Sequence, residues 1–134
     1  MTEPTALVRA VVGIVKRGNK VLIAERPPGK PYSGYWEFPG GKIEQHESGE
    51  TALKRELLEE LSITVQSAKL LFSYEHAYPD KRVFLEMWLV EAFQGEPMSM
   101  EKQILQWATW DEVGQLKLLS GVWPVLDKLK SLVG

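Results

Sequence analysis

Val and Ile recur densely from Leu7 to Val15 and again from Lys20 to Ala24, and the two runs are separated by Arg17, Gly18 and Asn19. β-branched runs interrupted by a Gly-Asn pair predict two antiparallel strands joined by a tight turn. Pro27 to Gly34 then holds three prolines and two glycines. Such residues remove ladder donors and cannot continue a helix, so an exposed loop is expected there. A short strand at Trp36 to Phe38 and a Pro39-Gly40-Gly41 turn should follow it. From Ser48 to Leu61 the period changes, because Ala52, Leu53, Leu57, Leu58 and Leu61 recur at helical spacing among charged neighbours. That spacing predicts one amphipathic helix.

Two further strand-like runs, Lys69 to His76 and Val83 to Phe93, flank the turn Tyr78-Pro79-Asp80-Lys81, and Gln94-Gly95-Glu96-Pro97 opens a loop. Ile104 to Trp110 is expected as a last strand, and Asp111 as the cap of a short helix running to Leu116. Trp123 to Leu132 is expected as a closing helix with Pro124 in its first turn. No repeat, low-complexity tract or linker interrupts this order. A length of 134 residues with 44% apolar content suits one compact α/β domain spanning residues 1–134.

Composition narrows the function classes. A formal net charge of -2 with mixed signs along the chain gives no basic stripe for a polynucleotide backbone. The absence of cysteine excludes disulfides, thiolate metal sites and cysteine nucleophiles, so any divalent ion must be held by oxygen or imidazole. His46 and His76 are the two histidines, and neither has a partner at ligand spacing; the first is expected exposed and the second structurally satisfied. Met1 to Val15 is broken by Arg9 and has neither a basic start nor a cleavage site. No segment reaches the roughly 18 apolar residues a bilayer requires. A cytoplasmic protein without a membrane partner is expected. The five Trp residues should pack, with Trp36 and Trp123 the candidates for stacking on a base.

The chemistry concentrates on the predicted helix. At about 100° per residue, Glu56, Glu59 and Glu60 project within one arc about 100° wide, beside the arc of Leu53, Leu57 and Leu61. Like charges at these spacings repel by a few tenths of a kcal/mol per pair, so helix stability does not explain the cluster. Either the face is merely solvated or it gathers a hard cation such as Mg²⁺ or Mn²⁺ from carboxylate and carbonyl oxygens. Arg55, one turn before Glu59, could hold that carboxylate in place.

Spacing beyond the helix separates these options. Gly41, Glu47, Arg55, Glu56, Glu59 and Glu60, with Leu57 and Ile63 apolar, resemble the Nudix box, G-x5-E-x7-R-E-U-x-E-E-x-G-U with U apolar. At residue frequencies near 7%, six fixed positions match a given start about once in ten million trials, which removes chance as the explanation. Ser62 replaces the last glycine of the box. That substitution should cost on the order of 1 kcal/mol or alter the helix exit, and it touches no expected ligand. Phe38-Pro39-Gly40-Gly41, the hairpin-like start, Tyr78-Pro79-Asp80 and Gly95-Glu96-Pro97 extend the resemblance to the MutT branch, whose members hydrolyse oxidised guanine nucleotides.

The resemblance implies an α/β/α sandwich with a mixed sheet and a loop-helix-loop catalytic motif. It implies Mg²⁺, replaceable by Mn²⁺, held by Glu56, Glu59, Glu60 and the Gly41 carbonyl. Glu56 would be a ligand or the base, while Glu47 and Arg55 are structural. Glu101 follows Gly95-Glu96-Pro97 at the spacing of the MutT branch and is the loop candidate for base and further ligand. Arg26 and Phe38 match positions that line the nucleoside pocket. The branch also presents an Asn or Asp near the closing helix, where Ser120-Gly121-Val122 offers a hydroxyl and backbone groups. The expected reaction is hydrolysis of a nucleoside triphosphate, with 8-oxo-dGTP the first candidate, by a monomer or homodimer. Tyr78 and Pro79 also fall near positions that mark ADP-ribose or dinucleoside polyphosphate enzymes, which sets the alternative substrate class. An inactive nucleotide-binding sensor would lack box glutamates that this chain keeps, and an interaction domain would be indifferent to Mg²⁺.

Overall fold

The computed structural model describes residues 7–134; the first six residues of the amino-terminal stretch discussed above lie outside it. Strand β1 (Leu7–Arg17) is central. It pairs antiparallel with β2 (Lys20–Glu25) at its far end and with β4 (Gly40–Lys42) nearer its start. On its other edge it runs parallel to β6 (Lys81–Gln94) from Leu7 to Val15. β5 (Thr64–Tyr78) continues the sheet antiparallel to β6, while β3 (Trp36–Glu37) and β7 (Ile104–Ala108) pair with β2. The order is β3-β2-β1-β6-β5, a mixed sheet.

A strand covered on both faces reads as a continuous apolar run, which is why β1 shows little alternation in sequence. Val11 and Val15 pack with Leu53, Leu57 and Leu61 of helix α1 (Gly49–Leu61) on one face. Ile14 packs on the other face with Val113 of α2 (Trp110–Val113) and Leu129 of α3 (Leu126–Val133). The layers are therefore helix, sheet and helix, the expected α/β/α sandwich. Each of the three α1 leucines is fully buried, and burial stabilises by about 2 kcal/mol apiece. Gly13 lets the helix approach: a Cβ there would stand 3.0 Å from a Leu57 methyl.

Ser48 caps α1, its side chain accepting from Thr51 N at 3.1 Å. At the other end Ser62 takes the left-handed conformation (φ 59°, ψ 32°), and its N–H donates to the Leu58 carbonyl at 3.0 Å. The helix exit is thus unaltered by loss of the box glycine, and the substitution appears as local strain.

Several elements differ from the sequence expectation. β5 and β6 are longer than Lys69–His76 and Val83–Phe93, because register shifts between Val65 and Ala68 and between Leu70 and Phe72 disturb the alternation. β4 lies where a turn was expected; its pairing uses the backbone of Gly40 and Gly41, which carry no side-chain pattern. Thr109, not Asp111, caps α2, accepting from Glu112 N at 3.2 Å while Glu112 accepts from Thr109 N at 2.9 Å. β7 consequently ends at Ala108, Trp110 belongs to the helix, and the helix stops at Val113 before Leu116. The closing segment is a 3₁₀ turn at Trp123–Val125 followed by α3, separated at Val125 (φ -114°, ψ 1°), so Pro124 lies outside the helix.

Candidate active site

The segment from Glu37 to Lys42 connects the two parts of the site. Gly13 N donates to the Pro39 carbonyl at 2.8 Å, and β4 lies against β1 at Ala10, Val11 and Val12. Gly40 is required by this contact, since a Cβ would strike the Val11 carbonyl. At Gly41 a Cβ would strike the Glu56 carboxylate, so the side chain of the acidic helix fills the space the glycine leaves. Gly40 N donates to Glu60 Oε2 at 3.1 Å, tying the loop to the helix a second time.

Arg55 joins the loop and the helix into one unit. Its Nε and Nη2 donate to the two Glu47 oxygens at 2.8 Å each, Nη2 also donates to the Lys42 carbonyl at 2.9 Å, and Nη1 donates to Glu56 Oε1 at 2.9 Å. Bidentate pairing of this kind fixes geometry as well as charge. The Arg55 bonds, with a further donation from Glu44 N, hold the Glu47 carboxyl down at about 2. Arg55 is itself raised by its carboxylate partners.

The remaining carboxylates are placed at some electrostatic cost. Burial, with the charges of Glu101, Glu56 and Glu37, pushes Glu60 up to about 9 against the opposing Gly40 hydrogen bond. Burial also raises Glu56, with Arg55 opposing and Glu59 and Glu101 adding. Glu59 is more open, with 55% of its side chain exposed, and lies 3.5 Å from Arg55. Among the described residues no three carboxylate or imidazole groups are already drawn around one point. The donor set nevertheless fits a hard divalent cation: oxygen ligands only, a glycine cradle filled by a carboxylate, and a carboxyl raised by burial and then by like charges that a cation would relieve.

Glu101 enters this group from the loop after β6. Met98 N donates to the Leu61 carbonyl at 2.9 Å and Met100 N to the Glu60 carbonyl at 3.0 Å, so the loop docks on the last turn of α1 and satisfies its free acceptors. This docking brings Glu101, distant in sequence, beside Glu60, which periodicity along the helix could not reveal.

A narrow cleft of about 60 Å³ opens beside Glu37, lined also by Phe38, Tyr74, Tyr78, Met87 and Gly121. Phe38 is buried there, its ring 6.1 Å from that of Trp110. Arg26, the other expected pocket residue, is not among the lining. It donates to Glu37 Oε2 at 2.7 Å and to the Pro31 carbonyl at 2.6 Å, so it reaches the cleft through Glu37 and pins the 27–34 loop. Burial raises the Glu37 carboxyl despite Arg26. Tyr74 donates to the Gly121 carbonyl, and His76 bonds Ser120 Oγ at 3.1 Å. Glu37 and Tyr74 escaped the sequence reading, whereas Gly121 lies in the Ser120-Gly121-Val122 segment expected to offer backbone groups. Tyr74, His76 and Tyr78 stand at alternate positions of one strand, which was the available signal. His46 is exposed. A wider groove of about 370 Å³ between α2 and α3 lies on the face of the sheet away from the acidic helix.

A loop-helix-loop unit that presents clustered carboxylates beside a narrow, aromatic-lined cleft is shared with a known family. The chain belongs to the Nudix family: the NUDIX domain model matches residues 10–128. Within that family it is a MutT-like pyrophosphohydrolase. It is 38% identical over 122 residues to the 8-oxo-dGTP diphosphatase of Escherichia coli (strain K12), covering 90% of this chain and 95% of that protein. It is 34% identical over 126 residues to the CTP pyrophosphohydrolase of the same organism, covering 94% and 93%. The crystal structure of a MutT NUDIX hydrolase from Burkholderia pseudomallei shares the fold with a TM-score of 0.83 at 28% identity, covering 92% of this chain and 98% of that one. Nudix hydrolases use divalent metal ions and act on small nucleotide substrates.

Proposed function

We propose that the protein hydrolyses 8-oxo-dGTP to its monophosphate and pyrophosphate with Mg²⁺, or Mn²⁺ in its place, in cytoplasmic nucleotide-pool sanitisation. One observation carries the metal-assisted reading: the Glu56 carboxylate fills the space beside Gly41 and Glu60 accepts from Gly40 N, on a loop and helix braced by Arg55. Glu56, Glu59, Glu60 and the Gly41 carbonyl would hold the ion. When bound, the ion neutralises phosphate oxygens and acidifies the water that attacks.

The chain's own residues do the rest. The base lies in the cleft at Phe38, and residues 37–41 carry the substrate from there to the carboxylates. Water attacks phosphorus, the P–O bond to pyrophosphate breaks, and Glu101 takes the water's proton before returning it to solvent. Arg55 keeps Glu56 and Glu47 in place. In the cleft the Glu37 carboxylate and Gly121 carbonyl supply acceptors for a base edge, and the Tyr78 hydroxyl supplies a donor, the Tyr74 hydroxyl being engaged by the Gly121 carbonyl.

A second substrate, CTP, is supported by the similarity to a CTP pyrophosphohydrolase. The deciding experiment is product identification with 8-oxo-dGTP, dGTP, CTP, dCTP, ADP-ribose and dinucleoside polyphosphates, with and without Mg²⁺. The first reading requires a kcat/KM for 8-oxo-dGTP well above that for dGTP and CTP. Equal values, or a preference for CTP, reject it.

A further inference from the structure

The loop that carries Glu101 has no regular secondary structure, and Glu101 and Lys102 at its tip are both exposed. Three ties shape it. Gly95 turns the chain at φ 97°, and the Met98 and Met100 amides dock on the end of α1. The third tie is a single side-chain atom: Gln103 Oε1 accepts from Glu101 N at 3.0 Å and from Ser99 Oγ at 2.8 Å. Between Glu101 and Gln103, Lys102 adopts φ 65°, a left-handed conformation that a lysine keeps only when its surroundings impose it. The amide oxygen of Gln103 closes this turn from the outside and receives two donors that would otherwise go to water.

From this geometry we infer that Gln103 is a positioning residue, one that fixes the backbone of Glu101 so that its carboxylate faces Glu56 and Glu60. The inference rests on the reading of Glu101 as the base. The physical reason is preorganisation. Met100 fixes the loop on the side before Glu101, but the following residue is in a disfavoured conformation, and only the Gln103 oxygen ties Glu101 N itself. Without that acceptor Lys102 can relax toward ordinary φ values, and Glu101 turns away with it. A displacement of about 1 Å at a reacting group can lower turnover about 100-fold, whereas substrate binding in the cleft at Phe38 is untouched.

The test is steady-state kinetics with the best-cleaved nucleotide of the panel at saturating Mg²⁺. The proteins are the parent, Glu101→Gln, Gln103→Met, Gln103→Glu and the double variant Glu101→Gln/Gln103→Met. Methionine keeps the length of the side chain without a good acceptor, and glutamate keeps the acceptor. Gln103→Met is expected to lower kcat about tenfold or more with KM within about twofold, and Gln103→Glu to recover most of the loss. The double variant should be no slower than Glu101→Gln alone, because Gln103 acts only through Glu101. Circular dichroism and melting temperature confirm folding of each protein. A Gln103→Met enzyme with parental kcat, or a double variant that loses the full product of both effects, overturns the inference while leaving Glu101 as the base. Parental kcat in Glu101→Gln overturns the reading of Glu101 itself, and the role of Gln103 with it.

Discussion

Replacing Glu60 with glutamine removes one ionisable proton while keeping the shape of the side chain. Burial, with the neighbouring carboxylates, pushes the Glu60 carboxyl up to about 9, against 4.5 for the ordinary group. Between those values the folded chain holds a proton that the unfolded chain has released. Stability from this group is therefore complete below about 4.5 and is lost as pH rises toward 9. At pH 7.5 the linkage amounts to about 4 kcal/mol as an upper value, and local relaxation and water entry should leave about 2 kcal/mol. Glutamine stays neutral throughout and can donate to the neighbouring carboxylates. In EDTA at pH 7.5 Glu60→Gln should thus melt about 6 to 10 °C above the parent, and at pH 5 the two should nearly coincide. Saturating Mg²⁺ should raise the parent far more than the variant, narrowing or reversing the order, and turnover of the variant should fall about 100-fold or more. The assay is thermal denaturation at both pH values with EDTA or Mg²⁺. Equal melting temperatures in EDTA at pH 7.5, or equal Mg²⁺ shifts, would refute the placement of Glu60 as a buried, cation-relieved carboxyl.

Three further outcomes follow from single positions. Ser62→Gly removes a side chain from the left-handed helix exit and should stabilise by about 1 kcal/mol, read as a rise of about 3 to 5 °C in Tm with unchanged kcat. Gly41→Ala drives a methyl into the Glu56 carboxylate and should lower kcat about tenfold or more, a loss that extra Mg²⁺ restores only in part. Gly121→Ala places its Cβ 2.6 Å from the Tyr78 hydroxyl and must displace that ring from the cleft. KM for the nucleotide should rise about fivefold with kcat within about twofold, and an unchanged KM would remove the cleft from substrate binding.

The chain alone determined the acidic helix from Ser48 to Leu61, the box from Gly41 to Glu60 and the class of enzyme. These are readable because helical period and ligand spacing are short-range properties, set by residues within a few turns of one another. Local patterns misled where backbone or context decided the outcome. Two glycines form a strand by pairing with β1, Thr109 outcompetes Asp111 as a cap, and bulges conceal the true length of β5. Only the tertiary structure brought Glu101 to Glu60 by docking one loop on the last carbonyls of α1, turned Arg26 toward Glu37, and assembled the cleft from Tyr74, Tyr78 and Gly121. Contacts between distant segments depend on how sheet and helices pack, and on which polar groups burial leaves in need of a partner; neither is written in the order of neighbouring residues.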